Sequence, residues 1–202
     1  MILAERLCLL VLDPERGRDR ASTDTQRLHR AISGLVLVDL MLGGRIRIDA
    51  TQVHAGDALP AAHPVLAEAA KLLATARPTL PLATASQLLQ RHARSWQRRM
   101  LKSLAARDVL ELHIPFPFLR QYRLRSRQAW NESLALLQSA RTGAAADPAA
   151  LALALATELS GVLADLMPTE ASRPLLAALA GLGDIAAHSE RHAALLQLLR
   201  GD

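Results

Sequence analysis

Four cations at helical spacing, Arg91, Arg94, Arg98 and Lys102, are the residues whose type and pattern point most directly to chemistry. At 100° per residue they fall within an arc of about 80°. Trp96, Met100, Leu104 and the stem of Arg107 fall on the other side of the same wheel. One face can pack and the other can hold an anion. Residues 91–127 carry ten Lys or Arg and two acids, Asp108 and Glu111, and sum to +8. The 202-residue chain is +5, so the rest of it sums to −3. Positive charge this local suggests a phosphate-bearing partner, either an anionic membrane surface or nucleic acid. The plain alternative is a solvated face of a helical protein, which is what many charge runs are.

The sequence that follows, VLELHIPFPFLRQYRLRS, reads as two short strands joined by an apolar tip. Phe116, Phe118 and Leu119 make the tip, spaced by Pro115 and Pro117, and both Phe residues of the chain are there. Proline suits turns and sheet edges, not central strands. A tip that simply turned in water would use Asn, Asp and Gly. This tip is therefore expected to enter a membrane interface or to pack on a second subunit.

The elements that must position these groups are mostly helices. Half of the residues are apolar, chiefly Leu and Ala, and aromatic residues are scarce. That composition favours helix over extensive sheet. The expected fold is mainly α: a single domain over 1–202 with a helical-bundle core and two short β-hairpins. Helices are expected at Leu3–Leu12, Asp24–Leu42 (ending at Gly43-Gly44), from Pro64 to just before Pro78, and at Leu82–Gln90 with Thr84 or Ser86 as cap. The basic helix, a helix over Arg127–Ala140, a long Ala/Leu helix from Pro148 to Met167 and a bent segment over Leu175–Leu199 complete the set. Arg45–Asp49 and Thr51–His54 alternate as a pair of strands.

Several chemistries lack their signatures. His188 and His192 stand at i and i+4, but no H-E-x-x-H and no third ligand accompany them, so no metal site is expected. There is no G-x-S-x-G, no phosphate-binding Gly-rich loop and no dinucleotide fingerprint. The chain reads as a non-enzyme without cofactors. The single cysteine, Cys8, lies in an apolar run and reads as a buried, inert thiol suited to a reducing cytosol. Glu5 and Arg6 interrupt the N-terminal apolar run, which does not read as a signal peptide. The best candidate span, Ala149–Met167, carries Glu158 and Asp165 and is not expected to cross a membrane. The expected location is cytoplasmic, peripherally attached to a membrane.

Several blocks taken together resemble the Golgi phosphoprotein 3 family. They are the opening L-x-E-R-L-x-L-L-V-L-D, then G-L-V-L-V-D-L-M-L-G-G-R-I-R-I-D (Gly34–Asp49), A-G-D (Ala55–Asp57), and R-R-M-L-K-S-L-A-A-R-D-V-L (Arg98–Leu110) leading into a hairpin. The resemblance implies a mainly helical domain that binds membranes carrying phosphatidylinositol 4-phosphate. In eukaryotic members this couples to retention of glycosyltransferases through their cytosolic tails. It also implies a hairpin with an apolar tip used in membrane contact or self-association. Of the family's lipid-pocket residues, Arg94 matches one arginine of the basic helix. Gln97 stands at the second arginine, Asp24 at a tryptophan opening the second helix and Ser33 at an arginine further along it. Arg27 and Arg30 are candidates to substitute.

The leading expectation is a peripheral membrane protein. Its lipid-phosphate residues would be Arg91, Arg94, Arg98 and Lys102, with Phe116, Phe118 and Leu119 as hairpin anchor. Its partners would be anionic lipid, client protein tails and a second copy of the chain. The first alternative is a winged-helix-like nucleic-acid binder, since two helices and a hairpin follow one another here. Its weakness is a Phe-Pro-Phe wing with few base-reading residues. The second is an oligomeric scaffold or adaptor without lipid specificity.

Overall fold

The computed structural model describes residues 1–49, 51–56, 62–116, 119–141, 147–167, 172 and 174–176, with backbone alone at 115, 116, 119 and 120. Helix α1 (Leu3–Val11) is almost wholly buried. Its first amides are satisfied from a distance. Asp39 on α2 (Thr25–Leu42) accepts the N–H groups of Leu3 and Ala4 at 3.0 and 3.3 Å. Asp24 caps α2 by accepting the Arg27 N–H at 2.9 Å, and Gly43-Gly44 ends it with Gly44 at φ +67°. Both ends follow from local residue type, an Asx N-cap and a left-handed glycine.

The chain then forms β1 (Ile46–Asp49) and β2 (Gln52–Ala55), followed by α3 (Pro64–Ala76), β3 (Thr79–Pro81) and α4 (Leu82–Gln90). The first expected hairpin thus gains a third antiparallel strand, with Val53 opposite both Ile48 and Leu80. The expected caps of α4, Thr84 and Ser86, lie inside the helix. Pro81 precedes it instead, and the Leu82 N–H donates to the Thr51 carbonyl at 2.7 Å, so the β1–β2 turn does the capping.

After α4 come α5 (Ala93–Ala106), β4 (Leu110–Phe116), β5 (Leu119–Leu124) and α6 (Arg127–Ser139). The basic helix begins later than the sequence suggested. Arg91 belongs to the tight α4–α5 turn. β4 and β5 form the expected second hairpin, with a register shift between His113 and Phe116.

The centre of the core is α7 (Pro148–Leu159). Every residue from Ala150 to Thr157 is buried, and the helix packs on α1, α2 and α6. Small Ala side chains let the neighbouring helices approach closely. The expected helix to Met167 is broken: Gly161 adopts φ +85° before the short α8 (Leu163–Leu166). The break lets the loop before α2 dock. The Asp24 N–H donates to the Ser160 carbonyl at 3.2 Å and the Ser22 hydroxyl to Asp165 at 2.6 Å. Most of the expected segment Leu175–Leu199, including His188 and His192, lies outside the described residues. No helix among the described residues is long and apolar enough to cross a membrane.

Candidate anion-binding surface

The helix α5 buries Ala93, Trp96, Met100, Leu101 and Leu104, and it packs on α1 and α2. Trp96, Met100 and Leu104 are the apolar stripe the wheel assigned to it, and Ala93 and Leu101 widen it. Its last turn closes on Asp108, a non-glycine residue at φ +58°, where the Asp108 and Val109 N–H groups return to Ala105 and Leu104. Asp tolerates the left-handed region better than most side chains. The closure turns the chain directly into β4, so helix and hairpin are joined without a linker.

Polar contacts fix α5 on three sides. Arg107 at its end donates to Glu5 of α1, which is fully buried and also accepts from His63 Nε2 at 3.0 Å. Arg99 pairs with Glu68 of α3. Gln97 donates to Asp19 at 3.4 Å. Burial alone would raise the Glu5 pKa, but the hydrogen bonds from His63 and Arg107 outweigh it and hold the carboxyl down at about 2. Asp19 is shifted the other way. Its partly sunken position pushes the carboxyl above the ordinary range, against the Gln97 hydrogen bond and the His29 charge.

The loop between α1 and α2 braces the hairpin. The Tyr122 N–H donates to the Gly17 carbonyl at 3.0 Å, so the outer edge of β5 is covered there. Gly17 sits at φ +65°, and a Cβ on it would lie 3.2 Å from the Tyr122 carbonyl oxygen. Helix, loop and hairpin are therefore tied into one surface.

Arg91, Arg94, Arg98 and Lys102 are all exposed, and none has an ion-pair or hydrogen-bond partner among the described residues. Arg99, Arg107 and Arg125, by contrast, are neutralised by Glu68, Glu5 and Asp108. The expected ridge is thus present. Arg94, Arg98 and Lys102 stand on α5, and Arg91 sits at the turn before it. Of the expected apolar anchor, Phe118 lies outside the described residues, and Phe116 and Leu119 are described by backbone only, paired across the hairpin end. The structure adds two apolar residues the sequence reading left unmarked. Leu112 and Ile114 on β4 are 43% and 56% exposed. Alternation with Glu111 and His113 places them on one apolar face with Leu110, and no local signal shows that this face leaves the core beyond Leu110.

The order of these parts, with a basic helix closing straight into a hairpin over the same stretch as the sequence blocks, leaves a whole-chain relationship to test. The family model described as Golgi phosphoprotein 3 (GPP34) matches residues 3–200. The chain belongs to the Golgi phosphoprotein 3 family. No curated protein matches it. Within this family member, Asp24, Ser33 and Gln97 have roles of their own. Asp24 caps α2, Ser33 is buried with its hydroxyl on the His29 carbonyl at 2.9 Å, and Gln97 holds Asp19. Of the two proposed substitutes, Arg27 pairs with Asp24 at 3.6 Å, while Arg30 is exposed. No group of three or more metal-ligating side chains occurs among the described residues.

Proposed function

We propose that this protein is a non-enzymatic peripheral membrane protein that binds anionic phospholipid from the cytosolic side. Arg94, Arg98 and Lys102, with Arg91, contact lipid phosphates, and the β4–β5 hairpin enters the interface. The observation that carries this reading is the ridge of four exposed cations without internal partners, beside a hairpin that exposes Leu112 and Ile114. Each basic residue near an anionic leaflet contributes about 1 kcal/mol, so four give useful but salt-sensitive binding. Apolar insertion supplies the second anchor that stable attachment requires.

Family membership favours phosphatidylinositol 4-phosphate as the headgroup. The structural duties of Asp24, Ser33 and Gln97 favour a broader preference for anionic lipid. Protein client tails and self-association through the hairpin are compatible further roles.

The deciding experiment is flotation with vesicles of neutral lipid, of added phosphatidylserine or cardiolipin, and of added phosphatidylinositol 4-phosphate, each at two salt concentrations. Binding to anionic vesicles that fades with salt, and that weakens when Arg94 and Arg98 are both replaced by Ala, supports the reading. Unaltered binding of that double variant at low salt removes it. The α4–α5–hairpin order also suits a nucleic-acid reading, and a preference for duplex DNA over every vesicle would favour it.

A further inference from the structure

Beside the ridge, α3 and α5 leave a cleft of about 300 Å³. This is at the small end of the range for small-molecule sites. Pro64 and Val65 form one wall, and Arg99, Lys102, Ser103 and Ala106 form the other. Ser103 stands about 180° around α5 from Arg94, so the cleft lies on the far flank of the helix from that arginine. Lys102 is the one residue the cleft and the ridge share.

The Lys102 ammonium and the Ser103 hydroxyl have no partner among the described residues. Arg99 is held at the cleft by Glu68. A guanidinium has five N–H donors, more than one carboxylate can occupy. The start of α3 supplies no free amide in its first two positions. Pro64 has no N–H, and the Val65 N–H goes to His63 Nδ1 at 3.3 Å. His63 is a wall and not a ligand, because its other nitrogen donates to Glu5. The donors available to an anion are therefore side chains, with the α3 dipole adding a favourable field. The remaining lining is apolar: Pro64, Val65, Ala106 and the methylene stems of Arg99 and Lys102.

We infer that this cleft binds a phosphomonoester carried on a short apolar stem. The phosphate sits among Lys102, Ser103 and Arg99, and the stem lies against Pro64, Val65 and Ala106. A phosphomonoester carries about −1.5 to −2 charges at pH 7 and three acceptor oxygens. Three oxygens match the Lys102 ammonium, the Ser103 hydroxyl and the N–H groups that Glu68 leaves on Arg99, where a phosphodiester or carboxylate offers only two. Such a group can come from a lipid with a bare phosphate head, such as phosphatidic acid, or from a soluble phosphoester.

The site is tested on the full chain by amide NMR during titration with butyl phosphate, and separately with inorganic phosphate, against chloride at equal ionic strength. Saturable shifts are expected at Val65, Lys102, Ser103 and Ala106. Butyl phosphate should saturate several-fold below inorganic phosphate. Lys102→Ala, at an exposed position, should weaken binding at least fivefold, and Lys102→Arg should retain most of it. Ser103→Leu should block the cleft. Shifts that never saturate, or that follow Arg94 and Arg98 instead of the cleft, overturn the inference while leaving the ridge intact. Vesicles of phosphatidic acid and of phosphatidylserine at matched charge separate the two sources. Loss of phosphatidic acid preference in Lys102→Ala and Ser103→Leu identifies the lipid. Equal binding to both vesicles alongside saturable butyl phosphate binding identifies a soluble ester.

Discussion

Glu5, fully buried on α1, accepts a hydrogen bond from the guanidinium of Arg107 at the end of α5, 102 positions further along the chain. This contact locks the basic helix to the helix that opens the domain. It also lies close to a second carboxyl, the half-buried Asp39, whose pKa the Glu5 charge helps to raise. The two acids titrate in opposite senses. Burial raises Asp39 from 3.8 to about 6, against the Leu3 and Ala4 amides. Glu5 falls from 4.5 to about 2.

Stability should therefore peak in mild acid. The raised Asp39 pKa means that the unfolded chain ionises first, so stability is lost as pH climbs from about 4 through 6. The depressed Glu5 pKa contributes stability that is present above pH 4.5 and is lost as pH falls toward 2. Each shift of about two units corresponds to about 3 kcal/mol as an order of magnitude. Urea midpoints measured from pH 7 to pH 2 should rise to a maximum at about pH 4 and then fall. Asp39→Asn should flatten the upper part of the curve and Glu5→Gln the lower part. A monotonic profile in the parent protein would contradict the assignment.

Gly161 should resist replacement. Its φ of +85° is unfavourable for a side chain, and a Cβ would stand 2.8 Å from the Ser22 carbonyl oxygen. Backbone cannot move aside as a flexible side chain can. Gly161→Ala should cost about 2 kcal/mol or more. Thermal or urea unfolding reads this directly, and a loss below about 0.5 kcal/mol would mean that the α7–α8 break relaxes freely.

The ends of the helices show where sequence alone sufficed. Asp24, Gly43-Gly44, Pro64 and Asp147-Pro148 are local signals, and each marks the boundary it should. Gly161 is the same kind of signal, but it is hidden in an Ala/Leu run whose propensity reads straight through it. β3 is three residues long and exists because Leu80 meets Val53, a tertiary pairing that no short window contains. Arg94, Arg98 and Lys102 were legible because helical period sets them on one side of α5, while Arg91 joins them from the turn before it. The pairs that decide which arginines stay free, Arg99 with Glu68 and Arg107 with Glu5, join separate helices and leave no local trace. Gln97 was legible as a departure from the family's arginine, while its partner Asp19 was not.

The hairpin should contribute to binding where charge is screened. Surface attraction weakens as the Debye length shortens to about 3 Å at 1 M salt, whereas apolar insertion does not. Replacing Phe116 and Phe118 together by Ser should therefore weaken vesicle flotation most at high salt. Size-exclusion chromatography of the same variant separates membrane contact from self-association. A smaller elution size with unaltered flotation would assign the tip to subunit packing.

Glu68 offers a gain-of-binding test of the same surface. It neutralises Arg99 on the flank of the ridge and lies 4.0 Å from His92, with a third of its own side chain exposed. Exposed pairs of this kind stabilise little, about 0–1 kcal/mol, so Glu68→Gln should leave the fold nearly as stable. It should nevertheless release one cation beside four that are already free. At about 1 kcal/mol per basic residue, binding to phosphatidylserine vesicles should tighten about fivefold at low salt. The gain should vanish at high salt, because it is purely electrostatic. Vesicle titration of Glu68→Gln beside the Arg94→Ala, Arg98→Ala double variant thus moves the same quantity in opposite directions. If Glu68→Gln left low-salt affinity where it was, the membrane would have to approach a face of the protein that does not include this flank of α5.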